Sequence, residues 1–139
     1  MASPRVLFLC TANSCRSQMA EGFLHHLAGD RFEAASAGAQ LTRVNPNAVR
    51  VMKEVGIDIS AHRSKDVSEF MGQRFTYVVR VCGKAKETCP IFPGAFRHLD
   101  WNLDDPAMAD GTEADRLAVF RRVRDEIGEH VRDFIAKES

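Results

Sequence analysis

The feature that most constrains the fold is a short apolar run that ends in a cysteine and leads, through a loop, into a helix. Val6–Leu9 form the run, Cys10 follows it, and helical spacing of apolar residues begins at Gln18. A continuous apolar run of this length is typical of a buried strand in a parallel sheet. The sequence therefore predicts a strand, a loop and a helix in succession. The residues expected on the buried side of the helix are Met19, Phe23, Leu24 and Leu27.

The loop between this strand and this helix has the features of an anion site. Backbone N–H groups just ahead of a helix have no strand or helix partners, so they can converge on an anion at the positive end of the helix dipole. Arg16 adds a planar guanidinium that can bind two oxygens of a tetrahedral oxyanion. The candidate oxyanion-binding residues are Thr11, Ala12, Asn13, Ser14, Cys15, Arg16 and Ser17.

Cys10 is the candidate nucleophile of this site. The helix N-terminus, the loop amides and Arg16 favour the thiolate over the thiol, and the Ser17 hydroxyl can donate a hydrogen bond to the sulfur. The same spacing also allows a plainer interpretation, in which Cys10 is a core residue and Arg16 a surface residue that caps the helix. Neither G-x-x-x-x-G-K-[ST] nor G-x-G-x-x-G occurs, so nucleotide binding has little support.

Length and charge restrict the class of protein. A chain of 139 residues is expected to form one domain, spanning residues 1–139, that buries a core without disulfides. The formal net charge is zero, which gives no reason to expect nucleic acid or a membrane as a partner. The first apolar run is too short for a signal peptide or a membrane span, so we expect a cytoplasmic protein. There, cysteines are expected to be catalytic, redox-active, metal-binding or buried.

Strand-like and helix-like segments alternate along the chain. This alternation predicts an α/β fold, with a parallel sheet between helices on both faces. Further strands are expected at 32–38, 75–81 and 96–99, and further helices at 45–55, 67–71 and 113–136. The last helix has an apolar stripe of Leu117, Phe120, Val123, Ile127, Val131 and Phe134. Ligands bind such sheets beyond the carboxyl ends of the strands, where we expect both Cys10 and Cys82.

The other cysteines differ in their sequence context. Cys15 has no evident partner, and we interpret it as structural. Cys82 and Cys89 flank a polar segment, which indicates exposure and favours a redox pair with Cys10 as a third member. Zinc binding is the alternative for this pair. Structural zinc sites usually use closer pairs with further ligands grouped nearby, so we expect no metal.

Several segments together carry a resemblance to a known family. They are Cys10–Gly22, Asn45–Val49, Gly56–Ser60, Cys82 with Cys89 and Pro90, and Asp104–Ala107. These segments resemble the low-molecular-weight protein tyrosine phosphatase fold family, and within it the thioredoxin-coupled arsenate reductases. The resemblance implies a single-domain α/β fold with a four-stranded parallel sheet and flavodoxin-like winding. It also implies that no cofactor is bound and that thioredoxin is the external reductant.

The resemblance further implies roles for individual residues in arsenic detoxification. Cys10 attacks arsenate, Cys82 then attacks Cys10 and releases arsenite, and Cys89 attacks Cys82. Thioredoxin reduces the resulting Cys82–Cys89 disulfide, and phosphate or sulfate competes with arsenate for the loop. Asp105, before Pro106, is implied as the general acid, although Asp-Asp-Pro is also an ordinary turn sequence.

Two other functions fit some of the same residues. A low-molecular-weight protein tyrosine phosphatase needs only the nucleophile, the arginine and an acid, so a weak phosphatase activity fits an arsenate reductase as well. Ala107, Met108 and Ala109, however, offer no aromatic wall for a tyrosine ring. A non-enzymatic thiol sensor or anion-binding module would not need Asp105.

Two residues depart from the pattern of the family. Lys65 stands where some members have an acidic residue that binds potassium. A lysine ammonium can take the place of the cation, so we expect no potassium site. Arg80 interrupts an otherwise apolar strand, where it either forms an ion pair or faces an anion.

Overall fold

The computed structural model describes residues 3–40, 42–82 and 90–138. Their strands are β1 (Arg5–Cys10), β2 (Glu33–Gly38), β3 (Phe75–Arg80) and β4 (Ala95–Asp100). Every pairing is parallel, and the spatial order is β2-β1-β3-β4. This confirms the predicted four-stranded parallel sheet with flavodoxin-like winding, and it places β1 and β3 side by side at the centre.

The α-helices are α1 (Arg16–Ala28), α2 (Pro46–Glu54) and α3 (Glu113–Glu138). Short 3-10 helices occur at Val67–Phe70 and Pro106–Met108. Helix α1 begins at Arg16 rather than at Gln18, so Arg16 and Ser17 belong to its first turn. None of the helices in the described parts of the chain is both long and apolar enough to span a membrane.

The α-helices pack on one face of the sheet and form the larger core there. The predicted stripe on α3 is buried, as are Met19, Phe23 and Leu24 on α1. The prediction for Leu27 is wrong, because this side chain is 36% exposed. Leu27 lines an open groove together with Val55 and Gly128, and Gly128 has no side chain to cover it.

The opposite face of the sheet has a smaller core. Its buried members are Leu7, Leu9, Ala37, Phe75, Val78 and Phe92. In the described part of the chain, the 3-10 helix Val67–Phe70 and the loop residue Phe92 cover this face. The rings of Phe75 and Phe92 meet edge to face, with centroids 5.5 Å apart. Within the described residues the two faces are therefore covered unequally, one by α-helices and the other by a loop and a short 3-10 helix, so the predicted helices on both faces differ greatly in length.

Arg80 is accounted for by the pairing of β3 with β4. Its Nε donates a hydrogen bond to Asp100 Oδ1 at 2.7 Å, and the two residues face each other in the sheet register. Of the two interpretations of Arg80, the ion pair is the one that the structure contains. Opposite charges at facing positions of neighbouring strands stabilise their pairing.

Candidate active site

The candidate site is the loop of residues 11–15, which joins the carboxyl end of β1 to the start of α1. Gly38, at the end of β2, lies directly beneath this loop. A Cβ atom on Gly38 would lie 2.7 Å from Asn13 N and 2.9 Å from Thr11 O. Because real Cβ atoms do not approach backbone so closely, only glycine lets the loop settle onto the end of the sheet.

The carbonyl groups of Thr11, Ala12 and Ser14 accept hydrogen bonds from outside the loop. The donors, at 2.8 to 3.1 Å, are the backbone N–H groups of Ala39, Gln40 and Asn45 and the hydroxyls of Thr42 and Ser64. In a trans peptide the C=O and the following N–H point in opposite directions. The outward carbonyls therefore turn the loop N–H groups inward, above Cys10. This orientation is the one that anion binding requires.

Cys10 lies beneath the loop at the end of β1 and is 2% exposed. Its Sγ is 2.8 Å from Ser17 Oγ and accepts a hydrogen bond from Asn13 N at 3.2 Å. Asn13 has φ of 50°, in the left-handed region that few residues other than glycine adopt, and this conformation turns its N–H toward the sulfur. The structure thus brings Cys10 and Ser17 into the contact that the sequence predicted.

Arg16 is buried, although it carries a full charge. Its Nη1 donates to the carbonyl oxygen of Leu103 at 3.0 Å, and its Nη2 lies 3.6 Å from Asp105 Oδ2. A buried guanidinium is stable only when it is paired in this way. The plainer interpretation, which needed Arg16 on the surface, does not hold.

Asp105 is brought to the loop from the far end of the chain. Its Oδ1 accepts a hydrogen bond from Ala107 N at 3.0 Å and caps the 3-10 helix, while Oδ2 faces Arg16. Asp104 forms an ion pair with Arg122 on α3 at 3.2 Å. Asp105 is therefore a turn residue and also a neighbour of the anion loop. Its carboxyl group is 28% exposed beside the buried Arg16 guanidinium.

Cys15 immediately precedes α1, at the opposite end of the loop from Cys10. Burial removes its thiol from water and raises the pKa to about 12. Loss of water is the largest influence on this pKa, and it raises the pKa because burial disfavours the charged thiolate. Cys15 is therefore protonated at neutral pH, in agreement with a structural role.

Cys82 leaves the sheet after β3, on the same rim as Cys10. The two strands are hydrogen-bonded neighbours, and Val81 N donates to Leu9 O at 2.8 Å. Cys82 is disulfide-bonded, whereas Cys10 and Cys15 are free thiols. Cys89, the other half of the predicted redox pair, lies outside the described residues. Across the described ranges, no group of three or more His, Cys, Asp or Glu side chains could hold a metal ion.

A cluster of polar side chains that the sequence did not predict lies behind the loop. Glu21 accepts a hydrogen bond from Ser36 Oγ at 2.6 Å and has His62 Nδ1 and Lys65 Nζ each within 3.6 Å. The Lys65 ammonium thus lies near the Glu21 carboxylate, and its substitution for a potassium ion stays a prediction. The available signal was the spacing of Gln18 and Glu21, two polar residues that share a face of α1 among apolar neighbours.

Comparison with known proteins identifies the relatives of this chain. An arsenate reductase of Halalkalibacterium halodurans is 49% identical over 129 residues, which are 93% of each chain. A solved arsenate reductase in the phosphate binding state gives a TM-score of 0.84 at 38% identity, over 98% of this chain and 99% of that one. A thioredoxin-dependent arsenate reductase of Corynebacterium glutamicum gives a TM-score of 0.74 at 27% identity, over 97% of this chain and 61% of that one.

The family match extends over almost the whole sequence. Residues 5–138 match the low molecular weight phosphotyrosine protein phosphatase family. This range includes all four strands and all three α-helices, together with the loop, Arg16 and Asp105. The chain belongs to the low molecular weight phosphotyrosine protein phosphatase family.

Proposed function

We propose that this protein reduces arsenate to arsenite by a cascade of three cysteines that thioredoxin regenerates. The observation that carries the proposal is the position of Cys82. It follows the strand next to the one that ends in Cys10, so a second sulfur stands at the rim where the oxyanion loop lies. A phosphatase needs one thiol at this rim, whereas a thiol-driven reduction needs more than one.

Binding in this mechanism depends on shape and charge. The inward N–H groups of the loop and the Arg16 guanidinium hold the oxygens of a tetrahedral anion above the Cys10 sulfur. Phosphate and sulfate have the same shape, so they compete with arsenate for the loop. Discrimination therefore comes from the later redox step, because arsenic passes readily from the pentavalent to the trivalent state and phosphorus does not.

The first chemical step is attack by the Cys10 thiolate on arsenic. An S–As bond forms and an As–O bond breaks, and arsenic stays pentavalent. Asp105, whose carboxyl group lies beside Arg16, protonates the departing oxygen, which leaves as water. Cys10, Arg16 and Asp105 are also sufficient for a weak phosphatase activity.

The second step transfers the electrons. The Cys82 thiolate attacks the Cys10 sulfur, an S–S bond forms, and the S–As bond breaks with its electron pair left on arsenic, which departs as arsenite. Cys89 then attacks Cys82 and releases Cys10 as a thiolate. Thioredoxin supplies two electrons to reduce the Cys82–Cys89 disulfide.

The relatives support the same assignment. The similar protein of H. halodurans is an arsenate reductase, and that of C. glutamicum is thioredoxin-dependent. The relative with phosphate bound supports competition by phosphate. We propose a cytoplasmic location, where thioredoxin keeps thiols reduced, and a chain that works without a bound cofactor.

The test is a coupled assay with arsenate, thioredoxin, thioredoxin reductase and NADPH, in which oxidation of NADPH is followed. We expect turnover that depends on arsenate and on all three proteins. Hydrolysis of a phosphotyrosine substrate without any arsenate-dependent turnover would favour the phosphatase instead.

Cys89→Ser separates the steps of the cascade. This variant should release one arsenite per protein and then stop at a Cys10–Cys82 disulfide, which mass spectrometry of the trapped protein identifies. Sustained turnover of Cys89→Ser with thioredoxin would remove Cys89 from the mechanism.

A further inference from the structure

Gln18 is completely buried in the first turn of α1, directly behind the loop. Its Nε2 donates to Asn13 Oδ1 at 2.9 Å and to the carbonyl oxygens of Arg63 and Asn13 at 2.9 and 3.2 Å. Backbone carbonyl oxygens only accept hydrogen bonds, so the Gln18 atom that faces them has to be the nitrogen. Gln18 Oε1 then faces His62 Nδ1 at 3.1 Å, and this imidazole nitrogen must carry a hydrogen.

The same argument assigns the oxygen and the nitrogen of the Asn13 side-chain amide. The backbone N–H of Lys65 donates to Asn13 Oδ1 at 2.8 Å, beside the donor from Gln18. An atom that receives two donors is the oxygen, so the other amide atom is the nitrogen Nδ2. Asn13 Nδ2 lies 2.8 Å from Ser17 Oγ and donates to it.

The orientation of the Asn13 amide also determines the direction of the hydrogen bond between Ser17 and the Cys10 sulfur. Because its oxygen accepts from Asn13, its own hydrogen is available for Cys10 Sγ, 2.8 Å away. A sulfur that accepts hydrogen bonds from Ser17 and from the N–H of Asn13 is stabilised as the thiolate. The other charged or titratable groups around this network are Arg16, Asp105 and Cys15 at the loop, and His62, Glu21 and Lys65 on the far side of Gln18.

We propose that Gln18 is a positioning residue for the Cys10 nucleophile. Its carboxamide, anchored on the carbonyls of Asn13 and Arg63, holds Asn13 in the amide orientation that makes Ser17 a donor to the sulfur. It also binds both the backbone and the side-chain oxygen of Asn13, whose left-handed conformation is costly for a residue with a Cβ. Gln18 matters in this way only if Cys10 is the nucleophile of the proposed function.

The test is the pH dependence of Cys10 alkylation by iodoacetamide in the reduced full-length protein, with mass spectrometry resolving Cys10 from the other cysteines. Gln18→Met has a similar volume and no donor. We expect its Cys10 profile to move to higher pH, and alkylation near neutral pH to fall about fivefold, the effect of one hydrogen bond. In a Ser17→Ala background the same substitution should have a clearly smaller effect, because the hydroxyl is missing and only the Asn13 N–H still connects Gln18 to the sulfur.

Two further variants control the experiment. Gln18→Leu also lacks the donor, adds no charge and should shift the profile in the same direction as Gln18→Met. Tyr77→Phe removes a hydrogen bond to Glu138, at the end of α3, and should leave the Cys10 profile unchanged. An unchanged profile in both Gln18 variants, or an equal shift with and without the Ser17 hydroxyl, overturns the proposal.

The readout needs no arsenate, so it is separate from the proposed function. A wild-type protein that reduces no arsenate, while Gln18→Met still shows the Ser17-dependent shift, overturns the proposed function and supports the role of Gln18. Normal arsenate turnover with no effect of Gln18→Met on Cys10 supports the proposed function and overturns the role of Gln18.

Discussion

Cys10 and Cys15 lie at the two ends of one loop and are each 2% exposed, yet their surroundings differ. The Cys10 sulfur has the Asn13 N–H as a donor and the Ser17 hydroxyl beside it. The Cys15 sulfur has Ser14 Oγ at 3.5 Å, and burial raises the pKa of its thiol to about 12. Equal burial is therefore combined with different surroundings, because hydrogen-bonding groups surround the Cys10 sulfur whereas loss of water is the largest influence at Cys15.

The largest expected difference between Cys10 and Cys15 is the effect of their substitution on arsenate reduction. Cys10→Ser should lower arsenate-dependent NADPH oxidation by about 10⁴-fold or more, because it removes the nucleophile. Cys15→Ser should retain most of the wild-type turnover, because its side chain takes no part in the chemistry. A folded Cys15→Ser protein as inactive as Cys10→Ser would contradict the structural assignment of Cys15.

Next in size is the effect of Arg16, which follows Cys15 and completes the loop. Arg16→Lys should reduce kcat/KM for arsenate by about 10² to 10³-fold, because an ammonium cannot reproduce the planar pair of donors to the oxyanion. Arg124→Lys is the matched control, since Arg124 is also buried but pairs with Glu54 and Val51 O between α2 and α3. Similar losses in the two variants would show that Arg16 acts through stability alone.

Asp105 should show a smaller effect than Arg16. Asp105→Asn should lower turnover about 10²-fold, because the amide still caps the 3-10 helix but cannot protonate the departing oxygen. Asp104→Asn, which disrupts the neighbouring ion pair with Arg122, is the control and should stay close to wild type. Full turnover of Asp105→Asn would show that Asp105 is not the general acid.

The smallest expected effect concerns stability and comes from Cys15. Its pKa is raised from 9.0 to about 12, so between these values the unfolded chain releases a proton that the folded protein keeps. The free energy of unfolding should therefore fall as pH rises above 9, by at most about 1.4 kcal/mol per pH unit, with no contribution from this thiol well below pH 9.

Urea unfolding of the wild type and of Cys15→Ala between about pH 8 and 11 measures this contribution. The wild type should lose stability more steeply, and the difference between the two proteins isolates Cys15 from other groups that titrate in both, such as Tyr77. Parallel slopes would show that the thiol ionises in the folded protein more easily than its burial indicates.

The parts of the molecule that depend on nearby residues were predictable from the sequence. The order of apolar run, cysteine, loop and helix defined β1, the site and α1, and the stripe on α3 defined its buried face. The cluster of Glu21, Ser36, His62 and Lys65 was not predictable, because three distant segments of the chain supply it. Phe96 is 85% exposed for a similar reason, since its strand β4 lies at the sheet edge and propensity does not reveal which strand is outermost.

The glycine beneath the loop has a consequence for recognising such sites in other sequences. A cysteine followed by an arginine after five intervening residues is a short pattern that recurs by chance. By itself it does not show that the neighbouring strands leave room for an anion-binding loop. Gly38 adds a steric condition, because any side chain at the end of the neighbouring strand would push the loop away. Chains that pair the cysteine pattern with a bulkier residue at this strand end should prove unable to hold an oxyanion there, which makes the glycine a filter against false matches.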